Sequence, residues 1–270
     1  MPPLTRLLNA PYPHIPWVIR IISVIRTLFV LFVKECPLHM PFLWSTVLQG
    51  SRNSMADMEG PYYILNAPDR QLEDGKAVIA TSKDLKRFKP YLMTLTVTSP
   101  KGDPVPYALV DWWQADTAGI YAHSTYRLRG TFRADARGTV EVLTVAPGEY
   151  GPNGYKRAGH FHVKISGSGA AAGMKWETLT TQLYVCPGND PRMMDSDFLN
   201  RLRSPRKKNM AISWCTTVSP FMGFPEVDLA DVELMKRIQR WDSKLVGEGL
   251  KVISGCQMEV ALNEKPSTLF

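Results

Sequence analysis

The sequence predicts an all-β protein: an antiparallel β-sandwich core with long loops and one amphipathic helix near the C-terminus. Three observations carry this reading. Short β-branched and aromatic segments recur between residues 91 and 185, separated by turn residues and with no helical period between them. Proline (21) and glycine (19) are commoner than a helical bundle would use. The clearest 3.6-residue period comes late, over residues 228–245.

The elements follow in order. YLMTLTVTSP (91–100) is a β-branched strand ending at a turn made by Pro100, Gly102 and Pro104. YALVDWWQAD (107–116) is a second strand, with AGIY as the loop after it; Trp112 and Trp113 face opposite sides, one toward the core and the other toward a pocket. Two strands flank the DARG turn at 135–138, with alternation at Thr131 and Arg133 and at Val140 and Val142. GHFHVKIS (159–166) and TLTTQLYV (178–185) are further strands joined by the Gly/Ala-rich GSGAAAGM. In DLADVELMKRIQRWDSKL, apolar Leu229, Val232, Leu234, Ile238 and Trp241 give the helix, and LKVISGCQMEVAL returns to strand. No internal repeat or low-complexity tract interrupts this order.

Two regions are distinguished: a basic, apolar leader over residues 1–54 and a β domain over 55–270. The net charge is +7, but residues 1–54 hold Arg6, Arg20, Arg26, Lys34 and Arg52 against Glu35 alone, so the body is close to neutral. The basic run RLRSPRKK (201–208) has no interleaved aromatics and reads as a solvated loop, which argues against a nucleic-acid surface. IPWVIRIISVIRTLFVLFV (15–33) approaches transmembrane length, yet Arg20 and Arg26 lie inside it. It reads equally as a signal anchor, an interfacial helix making membrane contact, a targeting leader, or a product of start choice ahead of Met55. Location follows accordingly: cytoplasmic without a functional leader, otherwise membrane-anchored, secreted or organellar. Cys36, Cys186, Cys215 and Cys256 form neither a C-x-x-C pair nor a dense disulfide framework.

The chemistry centres on GEYGPNGYKRAGHFH (148–162). On a strand, His160, His162 and Lys164 share one face while Phe161, Val163 and Ile165 share the other. Imidazoles at i and i+2 lie about 7 Å apart at Cβ, close enough to converge on one metal. An H-x-H pair alone is short, and its plain alternative is a polar strand face. No cysteine or carboxylate nearby completes an ordinary zinc site, whereas Tyr121, Tyr150 and Tyr155 are at hand. A phenol titrates near pH 10, so it ligates only a strongly Lewis-acidic ion, and ferric iron suits that oxygen. Two phenolates against Fe³⁺ leave a formal +1, which attracts an anionic chelating substrate.

Six segments in register carry a resemblance: EGPYYI (59–64), VDWWQADTAGIYA (110–122), RLRGTFRADARG (127–138), PGEYG (147–151), RAGHFHVKI (157–165) and TTQLYV (180–185). Their order resembles the intradiol ring-cleavage dioxygenases, the protocatechuate, catechol and hydroxyquinol enzymes, over residues 57–186. The resemblance implies Fe³⁺ held by Tyr121, Tyr150, His160 and His162. It implies that the Tyr150 ligand dissociates and takes a substrate proton, that Arg157 stabilises negative charge on the ring, and that Gln182 supports the pocket. Its substrates are O₂ and a catechol-type ring, opened to a muconate-type diacid, with homo-oligomerisation among its expectations. A non-catalytic binding module on the same scaffold is the alternative. Departures are RAGH where RPAH is usual, a shorter loop between Tyr150 and His160, and no N-terminal dimerisation region of matching length. Tyr155 competes with Tyr150 for the ligand role but lacks the P-G-x-Y context. His123, two residues after Tyr121, reads as a loop residue, and His14 and His39 have no assigned role.

Overall fold

The computed structural model describes residues 3–31, 53–167, 175–187, 197–201 and 207–265. Ten strands are present among them: β1 (Gln71–Glu73), β2 (Lys76–Val78), β3 (Tyr91–Thr98), β4 (Leu109–Gln114), β5 (Arg129–Arg133), β6 (Thr139–Thr144), β7 (His160–Ser166), β8 (Leu179–Pro187), β9 (Met210–Cys215) and β10 (Ser254–Ala261). They pair continuously in the order β1-β2-β6-β3-β10-β9-β8-β7-β4-β5. The two ends also approach each other. Arg70 N–H donates to the Thr131 carbonyl and Thr131 N–H to that of Pro68, each at 2.9 Å. The protein is thus mostly β, with its layers belonging to one nearly closed sheet.

The antiparallel expectation fails at three pairs: β2 with β6, β3 with β10, and β8 with β9 run parallel. β9 and β10 each enter after a long connection, which can carry the chain back to the end where the previous strand began. β1 and β2 are three residues each, too short for alternation to register.

The sheet interior is dry. Phe161, Val163 and Ile165 of β7 are fully buried, and Phe161 packs on Trp112 with ring centroids 4.7 Å apart. The helical turn over residues 228–245 starts later than its apolar pattern suggests. Leu229 and Val232 are exposed, and α5 (Val232–Leu245), the last of the five helices named here, is capped by Asp231, which accepts the Leu234 N–H at 3.0 Å. α5 buries Leu234, Ile238, Trp241 and Leu245. Trp241 donates its indole N–H to Glu141 at 2.7 Å, and Arg237 pairs with the same carboxylate at 2.9 Å.

The remaining helices are α1 (Pro3–Asn9), α2 (Trp17–Phe29), α3 (Ser82–Phe88) and the single turn α4 (Phe198–Arg201). Residues 3–31 pack against the β domain. Leu8 of α1 joins the main core, Ile15 is buried, and the Ile15 and Tyr126 amides bond across to Ser124 and Pro13. α2 turns its polar side inward: Ser23 and Thr27 are buried, Ser23 accepts the Leu65 N–H at 3.2 Å, and Arg26 makes a bidentate pair with Glu59. Trp17, Ile21, Ile25 and Phe29 face outward. No helix among the described residues is long and apolar enough to cross a membrane. Of the two arginines that interrupt the apolar run, Arg26 anchors α2 to the body through Glu59.

Candidate metal centre

Three backbone segments carry the candidate ligands, and small residues let them touch. Tyr121 follows β4, Tyr150 lies on the loop after β6, and His160 and His162 begin β7. Gly119 sits at φ +79°, and a Cβ there would lie 2.2 Å from the Glu149 carbonyl oxygen, so glycine brings the Tyr121 loop against the Tyr150 loop. A Cβ on Gly159 would likewise come within 2.2 Å of the Pro147 oxygen, so the same loop presses on the start of β7. The glycine of RAGH therefore serves this contact.

The side chains converge. His160 Nε2 and His162 Nε2 are 3.0 Å apart. His160 Nδ1 is 2.6 Å from the Ala158 carbonyl, a pure acceptor, so Nδ1 carries the proton and Nε2 presents a lone pair. Burial, and then Arg157, push the His160 pKa down to about 4, so the ring is neutral. Burial, and then His160, hold His162 well below the usual imidazole range. The Tyr150 hydroxyl is 3.5 Å from His160 Nε2. Tyr121 meets Tyr150 edge-on at 5.3 Å, with Tyr62 stacked on Tyr121 at 4.3 Å and Trp113 parallel to His162 at 4.8 Å. Trp112 and Trp113 thus divide as the strand alternation requires.

These residues fit a cation. Without one, at most one proton is shared between the facing imidazole nitrogens, while the buried Tyr121 hydroxyl and His162 Nδ1 have no hydrogen-bond partner. With one, both lone pairs and the Tyr121 oxygen have a common target. Among the described residues no group of three or more His, Cys, Asp or Glu could hold a metal, and the side-chain oxygens beside the two imidazoles are those of Tyr150 and Tyr121. Burial raises both phenols, Tyr150 to about 12 and Tyr121 well above the ordinary phenol range, with Arg157 opposing the rise in each. Only a strong Lewis acid would ionise them near neutrality.

Arg157 is held from three sides. Its Nε donates to Asp197 at 2.9 Å, and its Nη2 to Gln182 Oε1 at 2.6 Å and the Tyr184 hydroxyl at 3.3 Å. Gln182 is fixed in turn by donating to the Met58 carbonyl at 2.9 Å. Among the described residues Nη1 meets only the Met58 sulfur, at 3.9 Å. Sequence reasoning missed Asp197. Its Oδ2 also accepts the Ala158 N–H at 3.0 Å, and its Oδ1 accepts the amides of Leu199 and Asn200. The local signal, Asp before a helical turn, marks a cap; the contact with Arg157 is not encoded locally.

Other sequence candidates lie elsewhere. Tyr155 is exposed and packs on Phe198 at 5.0 Å, with none of the ring contacts that join Tyr121, Tyr150, His160 and His162. His123 is exposed beside Tyr62, and His14 bridges to Thr125. Lys164 pairs with Glu59 at 2.8 Å. His39 and most of the 201–208 basic run lie outside the described residues.

A family model described as dioxygenase matches residues 58–212, more than half of the chain and inclusive of all four candidate ligands. Catechol 1,2-dioxygenase 1 of Acinetobacter lwoffii is 31% identical over 159 residues, covering 51% of this chain and 47% of that protein. The chain belongs to the intradiol dioxygenase family. Another relative in the family is chlorocatechol 1,2-dioxygenase of Pseudomonas putida, 30% identical over 166 residues, covering 53% of this chain and 59% of that one. The matches span about half the length of these curated relatives. Among solved structures, wild-type catechol 1,2-dioxygenase of Acinetobacter radioresistens superposes with a TM-score of 0.57 at 18% identity, covering 92% of this chain and 76% of that one. At that identity the likeness concerns the fold.

Proposed function

We propose that this intradiol dioxygenase family member is a non-haem ferric enzyme that cleaves a catechol-type ring between its two hydroxylated carbons. Both atoms of O₂ enter the product, a muconate-type diacid, so the atoms of catechol and dioxygen balance without a further reductant. The observation that carries the reading is the convergence of two imidazole Nε2 atoms and two phenols on one buried point. Tyr121, Tyr150, His160 and His162 would hold the ion. Ferric iron bound there supplies the Lewis acidity that ionises phenols and substrate hydroxyls, and the redox partner for dioxygen.

The protein's own groups do the rest. Both phenols lie on loops, but Tyr121 is buried whereas Tyr150 is partly exposed, so Tyr150 is the phenol able to swing away and accept a substrate proton. Arg157 offers Nη1 to negative charge developing on the ring, in a site dry enough to magnify the attraction. Gln182 and Asp197 set the plane of that guanidinium and act as positioning residues. Tyr62 and Trp113 wall the site and exclude water.

The visible spectrum tests this. Iron-loaded protein is expected to be wine-red to brown from tyrosinate-to-iron charge transfer, shifting to longer wavelength on addition of catechols. Tyr150→Phe should weaken or bleach the band, and Tyr155→Phe should leave it. A colourless protein at full zinc occupancy would refute the assignment, and bleaching by Tyr155→Phe would reassign the second phenol.

A further inference from the structure

Arg129, in β5, is 1% exposed, and among the described residues it makes no ion pair. Burying a guanidinium without a counter-charge is costly, and burial pushes its pKa down to about 10, which leaves it charged at neutral pH. Asp111 acts on it through space but its carboxylate accepts the Tyr63 hydroxyl at 2.7 Å. The guanidinium instead donates to two carbonyls, that of Tyr62 at 2.6 Å and that of Ala122 at 3.2 Å, while its Nε has no partner. Those two carbonyls belong to the residue stacked on Tyr121 and to the residue that follows Tyr121. The guanidinium carbon stands 5.9 Å from the Tyr121 ring centroid. A cation kept in the protein interior at this expense needs a negative partner, and the ring it faces is the one that becomes anionic when the site is loaded.

We propose that Arg129 is the positioning and charge-balancing residue of Tyr121: its fork pins the Tyr62 and Ala122 segments around the ring, and its charge answers the Tyr121 phenolate. The idea rests on the ferric reading of the site. Tyr150 is held differently: its backbone exchanges hydrogen bonds with that of Arg157 at 3.2 and 2.8 Å, and the Arg157 guanidinium is itself paired with Asp197. With its carbon 5.9 Å from the ring centroid, the cation would lower the energy of the phenolate's donor electrons. Removing it shifts the tyrosinate band to longer wavelength.

The experiment compares visible spectra of iron-loaded wild type, Arg129→Met and Arg129→Lys, each with iron content measured, before and after adding catechol. Methionine matches much of the volume without charge, and lysine keeps the charge but not the fork. The expected result is a shift to longer wavelength in Arg129→Met, retained in the catechol complex where Tyr121 is the remaining phenolate, and a band in Arg129→Lys returned toward wild type. An unshifted band in Arg129→Met at full iron content overturns the proposal. Should the methionine variant not accumulate, Arg129→Lys decides. With the fork lost, it should release Tyr121 as well as Tyr150 on catechol binding and bleach the residual tyrosinate band, and an unbleached band refutes the positioning role. A wild type without any tyrosinate band would instead sink the ferric reading itself.

Discussion

Asp197→Asn is the most informative single change. The carboxylate is fully buried, and its two oxygens accept four donors: Arg157 Nε, the Ala158 amide, and the Leu199 and Asn200 amides. Asparagine keeps the shape but presents one oxygen, so two donors face an NH₂ group that cannot accept. Hydrogen bonds to a charged group are worth about 1.5–3 kcal/mol each, and breaking a buried ion pair by removing one partner costs about 3–5 kcal/mol. The two routes agree on a loss of about 3–5 kcal/mol. Urea denaturation followed by tryptophan fluorescence reads it as a midpoint lowered by about 1 M or more, at a slope near 3 kcal/mol/M. Folded Asp197→Asn should also lose kcat more than it raises KM, because Arg157 would be misaimed at the charge that develops during reaction. A stability within about 1 kcal/mol of wild type, together with an unchanged kcat, would refute the view that Asp197 holds Arg157 in place.

Other perturbations have defined outcomes. In metal-free protein, burial depresses His160 to about 4 and holds His162 well below the ordinary 6.5, so the unfolded chain binds more protons below pH 6.5. Stability is then fully present above that pH and falls by about 1.4 kcal/mol per pH unit for each histidine on acidification toward 4; a flat denaturation midpoint from pH 7 to 5 would contradict this. Gly119→Ala forces a side chain into φ +79° and against the Glu149 oxygen, and should cost at least about 2 kcal/mol while displacing Tyr150, seen as lower iron affinity. Trp241→Phe keeps an aromatic ring in the core but removes the donor to Glu141, for a loss of about 1–3 kcal/mol by denaturation, whereas Trp241→Ala should lose about 3–5 kcal/mol.

What could be seen in the sequence follows the range of the interactions. The strands that carry the site obey a two-residue period, so the shared face of His160 and His162 and the split between Trp112 and Trp113 were readable. The P-G-x-Y context favoured Tyr150 over Tyr155, and the exposure of Tyr155 agrees with that order. Parallel pairing was not readable, because which strand β10 meets depends on where a long connection returns. Asp197 looks like a cap, and Arg129 looks like one more cation in a strand that also carries exposed Arg133, four residues later. Their roles arise from chain segments some forty to seventy residues distant. Residues 3–31 misled for a different reason. α2 buries its hydroxyls and exposes its isoleucines, the reverse of the pattern by which an amphipathic helix is assigned its inner face.

The position of β10 bears on how the molecule is made. It is the last strand in the chain, yet it lies between β3 and β9, hydrogen-bonded to both. On one side are β1, β2, β6 and β3; on the other are β9, β8, β7, β4 and β5, which bear the histidines. During synthesis every proposed ligand has left the ribosome long before the strand that joins these two halves. The emerging chain must therefore wait with β3 and β9 as open edges, each a template for pairing with another molecule. A stop codon a few residues before 254 would spare every proposed catalytic group and still yield a protein prone to aggregate, whereas a tag placed after residue 265 leaves the joint untouched.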